Sequence, residues 1–263
     1  MHLIIRSRNT SCYPLREIDT GAKRVIYRMG STTPTRMITH RPVHLEINST
    51  KACRVSGDKR LMKEAFVQYS SEHNVNIPTA EYINSDSSED IVSFFNEYCT
   101  SHGAIIKRHN SSKGNGIYMI NSVEELHTWL NQHRDLINYV VEKYYNYSKE
   151  YRLHVSNDGC FYTCRKMLKE DAEDRWHRHE SNSVWILEDN QMFAKPSNWD
   201  EIVTACINAK NAVGLDIAAV DIKTTTWMRD PCKFIILETN SAPSLGDIGI
   251  QKYINFLTDY INE

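Results

Sequence analysis

Lys233-Phe-Ile-Ile-Leu-Glu-Thr-Asn-Ser-Ala-Pro243 decides how this chain is read. Residues 234–237 are bulky and β-prone, bounded by charge before and a turn after, and predict a short buried strand. Glu238 and Asn240 follow two residues apart, a spacing that puts both side chains on one face of a strand. A carboxylate and a neutral amide oxygen held side by side at a strand end suit a hard cation such as Mg²⁺. Upstream, Leu215-Asp-Ile-Ala-Ala-Val-Asp-Ile-Lys223 reads as a partner strand that can bring Asp221 opposite. A salt-bridged sheet surface would show the same carboxylates, so the rest of the chain has to decide.

That rest is ordinary globular material, 263 residues with 41% hydrophobic and 24% charged side chains, enough for one or two domains. A formal net charge of −2 gives no global field for nucleic acid or an anionic membrane, though a local basic groove remains open. The N-terminus has an apolar run of only three residues, 3–5, before its first arginine, so no secretory signal is read, and no apolar run spans a bilayer. The seven cysteines contain no CxxC pair. Cys160 and Cys164, four apart on a predicted strand, are expected on one face, and all seven read as reduced thiols of a cytoplasmic protein.

Residues 1–55 alternate short apolar runs with polar turns and read as a small α/β cap. A helix is expected from Asp58 to Tyr69, with Leu61, Met62, Ala65, Phe66 and Tyr69 as its apolar stripe and Gly57-Asp58 as its start. A second helix is expected over 87–102, entered through Ser-Ser-Glu-Asp. Residues 104–120 read as two strands joined by a flexible tip. There Gly114 and Gly116 can turn N–H groups toward an anion, and Ser111, Ser112 and Lys113 add donors. Lys107 precedes the tip on its strand. The tip is not a Walker A loop, since the Gly-Lys-Ser/Thr ending and its helix are missing, and such a hairpin is as readily only a hairpin.

A capping box, Ser122-Val-Glu-Glu125, opens the next helix, and Tyr139-Val-Val-Glu-Lys-Tyr-Tyr145 reads as a buried strand running into a connector. Residues 151–156 and 160–167 form a hairpin about Asn157-Asp-Gly159, with Arg152 on the first strand and Arg165 late on the second. Residues 169–183 are highly polar and read as a loop able to close over a site. His177 and His179 lack the further ligands that zinc needs. Helices are expected over 199–213 and 247–261.

In this order the pieces resemble the ATP-grasp carboxylate–amine ligases, among them the ribosomal-protein glutamate ligases, D-alanine–D-alanine ligase and glutathione synthetase. The likeness spans roughly residues 47–261, and it lies in the ordered combination more than in any one motif. It implies an α+β fold, two α/β lobes gripping ATP behind a short cap, divided at 1–55, 56–140 and 141–263. It also implies that Lys59 and Lys107 hold ATP phosphates, with Ser111, Ser112, Gly114 and Gly116 as the loop over them. Glu142, Lys143 and Tyr145 occupy the adenine-facing hinge, and Glu150 the ribose position. Asp221, Glu238 and Asn240 match the metal trio, with Ser241-Ala-Pro243 behind them. Arg152, Arg165 and Arg178 resemble the cations that steady the transferred phosphoryl group and the acyl phosphate. The cap is shorter than the usual substrate-binding lobe, and Ser244 stands where glycine is frequent.

The resemblance implies ATP and one or two Mg²⁺, with Mn²⁺ as an alternative ion. A small-molecule or peptide carboxylate would be joined to an amine, on a free compound or on a protein; nucleic acid finds no support in the charge, and no membrane is expected. A kinase of the same fold, or a nucleotide-binding regulator without turnover, are the competing readings.

Overall fold

The apolar runs before residue 50 become three short parallel strands. β1 (Ile4–Ser7), β2 (Val25–Met29) and β3 (Leu45–Ile47) lie side by side in that order. Parallel neighbours need crossovers, here a 3-10 helix (Thr10–Glu17) and a connection containing the four-residue helix α1 (Thr35–Ile38). This computed structural model describes residues 1–263 apart from 8, 112–114, 174, 180, 227–230 and 263. The cap buries Leu3, Ile5, Leu15, Val25, Tyr27 and Met29, and completes that core with Tyr253, Leu257 and Ile261 from the far end of the chain.

Next come α2 (Thr50–Gly57) and α3 (Lys59–His73). Asp58 starts α3 as expected, its carboxylate accepting from the Arg60 and Leu61 amides at 2.9 and 3.3 Å. The middle of the chain supplies β4 (Tyr82–Ile83), α4 (Ser88–Phe94), β5 (Ala104–Arg108), β6 (Ile117–Ile120), α5 (Val123–Gln132) and β7 (Tyr139–Lys143). Its four strands form an antiparallel sheet ordered β4-β7-β5-β6, packed on a core that includes Ile91, Phe94, Ile106, Leu126 and Val141. The helix expected over 87–102 is α4 followed by one wide π-helical turn, Phe95–Cys99.

The last third contributes β8 (Lys149–Val155), β9 (Cys160–Leu168), β10 (Ser183–Leu187), α6 (Trp199–Ala212), β11 (Ala218–Thr224), β12 (Phe234–Asn240) and α7 (Asp247–Asn262). The strands form an antiparallel sheet ordered β10-β9-β8-β11-β12. One face is covered by α2, α3 and α6, where Met62, Phe66, Ile202 and Cys206 pack on Leu153, Val220, Ile222 and Ile236. Phe66 is 1% exposed, and burial of such a side chain contributes roughly 2 kcal/mol. So α3, assigned from sequence to the segment 56–140, packs with the last third instead. Its apolar stripe is complementary to the sheet, whereas the middle sheet fills its own core with α4 and α5.

Two β-bulges set what the opposite face of this sheet presents. In β12, Ile236 pairs with Ile222 and Glu238 with Asp221, so Leu237 is the extra residue. Ile236 therefore faces the helix-covered core while Glu238, two residues later, faces away from it; an unbulged strand would have buried both together. In the β8–β9 hairpin, Val155 pairs with Cys160 but His154 with Tyr162, which makes Phe161 the extra residue. This separates Cys160, packed against the α6-side core, from Cys164, which pairs with Arg152 on the other face. The expectation that the two thiols share a face fails on that one residue.

Candidate active site

Cross-strand partners share a face, and the open face of the five-stranded sheet collects side chains from all five strands. Asp221 on β11 stands between Arg152 on β8 and Glu238 on β12, and Asn240 pairs with Ala219 one step along the same face. The Arg152 guanidinium grips Asp221 with both forks, Nε to Oδ1 and Nη2 to Oδ2, each at 2.7 Å. Burial works against the Arg152 charge, but the Asp221 carboxylate outweighs it and holds the guanidinium more firmly protonated than usual. Trp185 on β10 lays its ring 4.7 Å from the same guanidinium.

Among the described residues no hydrogen bond or ion pair reaches the half-buried Glu238 carboxylate. Asn240 accepts from the Ala242 amide at 2.8 Å, which folds the Ser241-Ala-Pro243 segment back beneath the site. Two carboxylates and one amide oxygen on neighbouring strands fit Mg²⁺: hard donors, too few for a closed cage, leaving positions for phosphate oxygens and water. Among the described residues no group of three His, Cys, Asp or Glu is arranged for a metal, His177 and His179 included.

Helix α3 and strand β5 bring their lysines to the same place. The Lys59 ammonium, in the first turn of α3, donates to the Ser111 carbonyl at 2.6 Å. Burial lowers its pKa, while Glu238 across the gap opposes that shift. Lys107 on β5 meets Glu142 on β7 at 2.8 Å, and Lys63, one helical turn beyond Lys59, approaches the same carboxylate at 3.7 Å. Lys63 is fully buried, also bonded to Thr79 Oγ1, and burial lowers its pKa to about 8. Burial pushes the Glu142 carboxyl up, but Lys107 and Lys63 more than reverse it and hold it below the usual range. The Glu142 side chain, expected at the adenine edge, is thus committed to the lysines.

The hairpin tip is tied to α3 at its base. His109 Nδ1 lies 2.9 Å from Asp58 Oδ2, and the Lys59 amide donates to the His109 carbonyl at 3.1 Å. Gly116 has φ +67, and a Cβ there would meet Arg108 Cβ at 3.1 Å, so it closes the hairpin as only glycine does easily. Ser112 and Gly114, named for phosphate contact, lie outside the described residues.

A second charged group surrounds Glu150 on β8. Lys166 and Arg178 approach its carboxylate at 3.8 and 3.6 Å, and Lys223 pairs with it across the strands. Burial raises the Glu150 pKa and lowers that of Lys223 to about 8. Trp176 and Arg178, from the polar stretch, are held against this group. Lys166 donates to the Arg178 carbonyl, Arg178 to the Ser148 carbonyl, and Lys223 to the Trp176 carbonyl at 3.4 Å. Arg178 Nε is buried with no acceptor, a donor that a nucleotide oxygen would satisfy. The Lys143 and Tyr145 side chains both turn to Glu81, at 3.9 and 2.7 Å, which leaves the hinge to its backbone.

Arg165 is not part of this assembly. It pairs with Tyr151 on the helix-covered face and donates to the Met192 carbonyl at 2.7 Å. Lys166, one residue later, takes the place on the open face. Had the hairpin no bulge at Phe161, Arg165 itself would stand opposite Glu150. The reading of the sequence also passed over Lys63, although it lies four residues after Lys59, and Lys223, although it lies two after Asp221; each spacing puts the pair on one face.

Compared by sequence, the chain matches no family model and no curated protein. Solved structures do resemble it. The D-alanine–D-alanine ligase of Bacillus anthracis superposes with a TM-score of 0.62 at 11% identity, over 98% of this chain and 91% of that one. Carboxyaminoimidazole ribonucleotide synthase of Aspergillus clavatus, complexed with ATP, gives 0.60 at 14% identity, over 90% and 62%. The ATP-grasp ligase PsnB, complexed with a phosphomimetic variant of its minimal precursor, Mg and ADP, gives 0.57 at 15% identity. That match covers 83% of this chain and 62% of PsnB, so the chain spans less than two thirds of that relative. The fold is the α+β ATP-grasp fold. No helix among the described residues is long and apolar enough to cross a membrane.

Proposed function

We propose that this chain is an ATP- and Mg²⁺-dependent carboxylate–amine ligase working through an acyl phosphate. The observation that carries the reading is the convergence on one open sheet face of Asp221, Glu238 and Asn240 with Lys59 and Lys107 at its border. Similar structures that hold ATP, or Mg with ADP, support the same nucleotide and ion here.

A carboxylate is a poor electrophile at neutral pH, so an amide requires prior activation. The substrate carboxylate attacks the γ-phosphorus of ATP, the bond to the ADP oxygen breaks, and an acyl phosphate forms. The amine then attacks the carbonyl carbon, phosphate leaves, and the amine proton goes to solvent or phosphate. Bringing anions together is the main barrier, and fixed cations lower it. Lys59 and Lys107 neutralise the phosphate tail, while Arg152 and Lys166 face the acyl centre from the open sheet face. Arg178 closes the segment 169–183 over the nucleotide and excludes water. Asp221, Glu238 and Asn240 would hold magnesium, which when bound offsets phosphate charge.

The test is ADP release across amino acids, peptides and dicarboxylates, with hydroxylamine added to trap the acyl phosphate. Hydroxamate formation is expected. A stable phosphorylated product without hydroxamate would mark a kinase, and nucleotide binding without ADP release a regulator. Asp221→Asn and Glu238→Gln should each lower turnover by about 100-fold or more; Glu238→Gln should leave the melting temperature unchanged, whereas Asp221→Asn also strips Arg152 of its counter-ion and should lower it. Normal turnover in both would remove the metal assignment.

A further inference from the structure

The charge of this chain is unevenly placed. Residues 1–55 hold ten Lys and Arg against three Asp and Glu, a formal +7, whereas the remainder of the chain is −9. Within the cap, residues 20–45 contain Lys23, Arg24, Arg28, Arg36, Arg41, His40 and His44, and not one carboxylate.

Part of this charge is used internally. Arg28 is fully buried on Glu46 and the Thr33 carbonyl, Lys23 caps the Ile261 carbonyl at the end of α7, and Arg24 donates to the Pro42 carbonyl at 2.8 Å. Arg36 and Arg41 are exposed, and no acceptor or counter-ion among the described residues reaches them. Both stand on the β2–β3 connection, which Arg24 braces from below. The connection leaves the sheet at Gly30, whose φ is +75 and where an added Cβ would lie 2.9 Å from Ala242 Cβ. Ala242 is two residues past Asn240. The basic connection therefore starts in van der Waals contact with the segment that follows the candidate metal trio.

We infer that the carboxylate-free β2–β3 connection of the cap, with Arg36 and Arg41 as its unpaired cations, is a docking surface for an acidic polypeptide substrate. This rests on the ligase reading, because it names the carrier of the carboxylate that is activated. An acidic segment lying on the connection would present its side-chain carboxylates at the Ala242 end, beside the site. The charge pattern favours a short acidic segment over nucleic acid. A phosphate backbone continues past the cap along a body of net −9, with a charge every few ångströms, whereas screening confines the cap's attraction to about 8 Å.

The experiment is fluorescence anisotropy with the full chain and three labelled probes: an eight-residue glutamate peptide, its glutamine counterpart, and a single-stranded oligonucleotide of equal charge. The glutamate peptide should bind at least about tenfold more tightly than either, and should weaken as salt is raised from 50 to 200 mM, roughly the range over which screening acts. Arg36→Glu with Arg41→Glu, both at exposed positions, should weaken it by about tenfold or more without moving the melting temperature. Equal binding of the glutamine peptide, tighter binding of the oligonucleotide, or indifference to the double reversal would each overturn the inference. The readout needs no ATP, so it is decided separately from whether ADP is released.

Discussion

Two buried glutamates, each among three cations, organise the two walls of the site, and they are built differently. Glu142 is held by Lys107 at 2.8 Å and Lys63 at 3.7 Å, and its carboxyl stays below the usual range despite burial. Glu150 has Lys166 and Arg178 no closer than 3.8 and 3.6 Å, and burial leaves its carboxyl above the usual range. The first is a finished ion cluster that fixes the lysines in place. The second is an incomplete one, its cations bonded to the Arg178, Ser148 and Trp176 carbonyls and not to the carboxylate at hydrogen-bond distance. The sharpest way to break this comparison is to neutralise each in turn. Glu142→Gln leaves the buried Lys63 facing the partly buried Lys107 without a counter-ion and should cost about 3–5 kcal/mol in urea unfolding. Glu150→Gln should cost less than about 1 kcal/mol, because the cations retain the Ser148 and Trp176 carbonyls, and should chiefly weaken ATP binding. Equal losses of stability would show that the two clusters are the same device.

The Arg152–Asp221 pair sharpens the contrast between finished and incomplete. A metal ion reaching Asp221 meets a guanidinium already holding both oxygens at 2.7 Å, so ion and arginine compete for one carboxylate. Nucleotide phosphates, by offering Arg152 another anion, would relieve that competition. Mg²⁺ alone should therefore bind weakly and Mg²⁺ with ATP far more tightly. Arg152→Met should raise the affinity for the ion alone by about tenfold while lowering turnover, the former read by Mn²⁺ paramagnetic resonance without nucleotide. If the variant binds the lone ion no better than the parent, the competition does not exist.

These side chains were not equally visible in the sequence. Asp221, Glu238 and Asn240 were legible because a strand's period of two and the chain order are local facts, and the Asp58 cap and the Asp-Gly hairpin were legible for the same reason. The ATP-grasp fold followed from the order of those pieces. What depended on register was hidden. A single extra residue at Phe161 exchanged Arg165 for Lys166 and parted Cys160 from Cys164, and nothing in Cys-Phe-Tyr-Thr-Cys announces a bulge. The partition of helices was hidden too, since the stripe of α3 says that it packs but not on which sheet. Lys63 escaped because a lysine beside an apolar stripe is ordinarily solvent-facing, and its burial is made tolerable by Glu142 and Thr79, both distant in sequence.

Lys63 also offers the smallest and most specific probe of the finished cluster. Burial lowers its pKa to about 8, against the ordinary 10.5 of the unfolded chain. Between those values the unfolded chain binds a proton that the folded chain has released, so the slope of unfolding free energy with pH is positive. A lysine depressed in this way makes its smallest contribution below about pH 8 and becomes progressively less costly as pH rises toward 10.5. Lys63→Met removes the group from both states. The stability of the parent relative to Lys63→Met should therefore climb between pH 8 and 9.5, by on the order of 1 kcal/mol per pH unit at most, in paired urea titrations. Glu142, held below the usual carboxylate range, stays charged throughout that interval. A flat difference would mean that Lys63 stays protonated across the interval, held by Glu142 as firmly as an exposed lysine is by water, and a falling one would mean that the pair binds protons more tightly folded than unfolded.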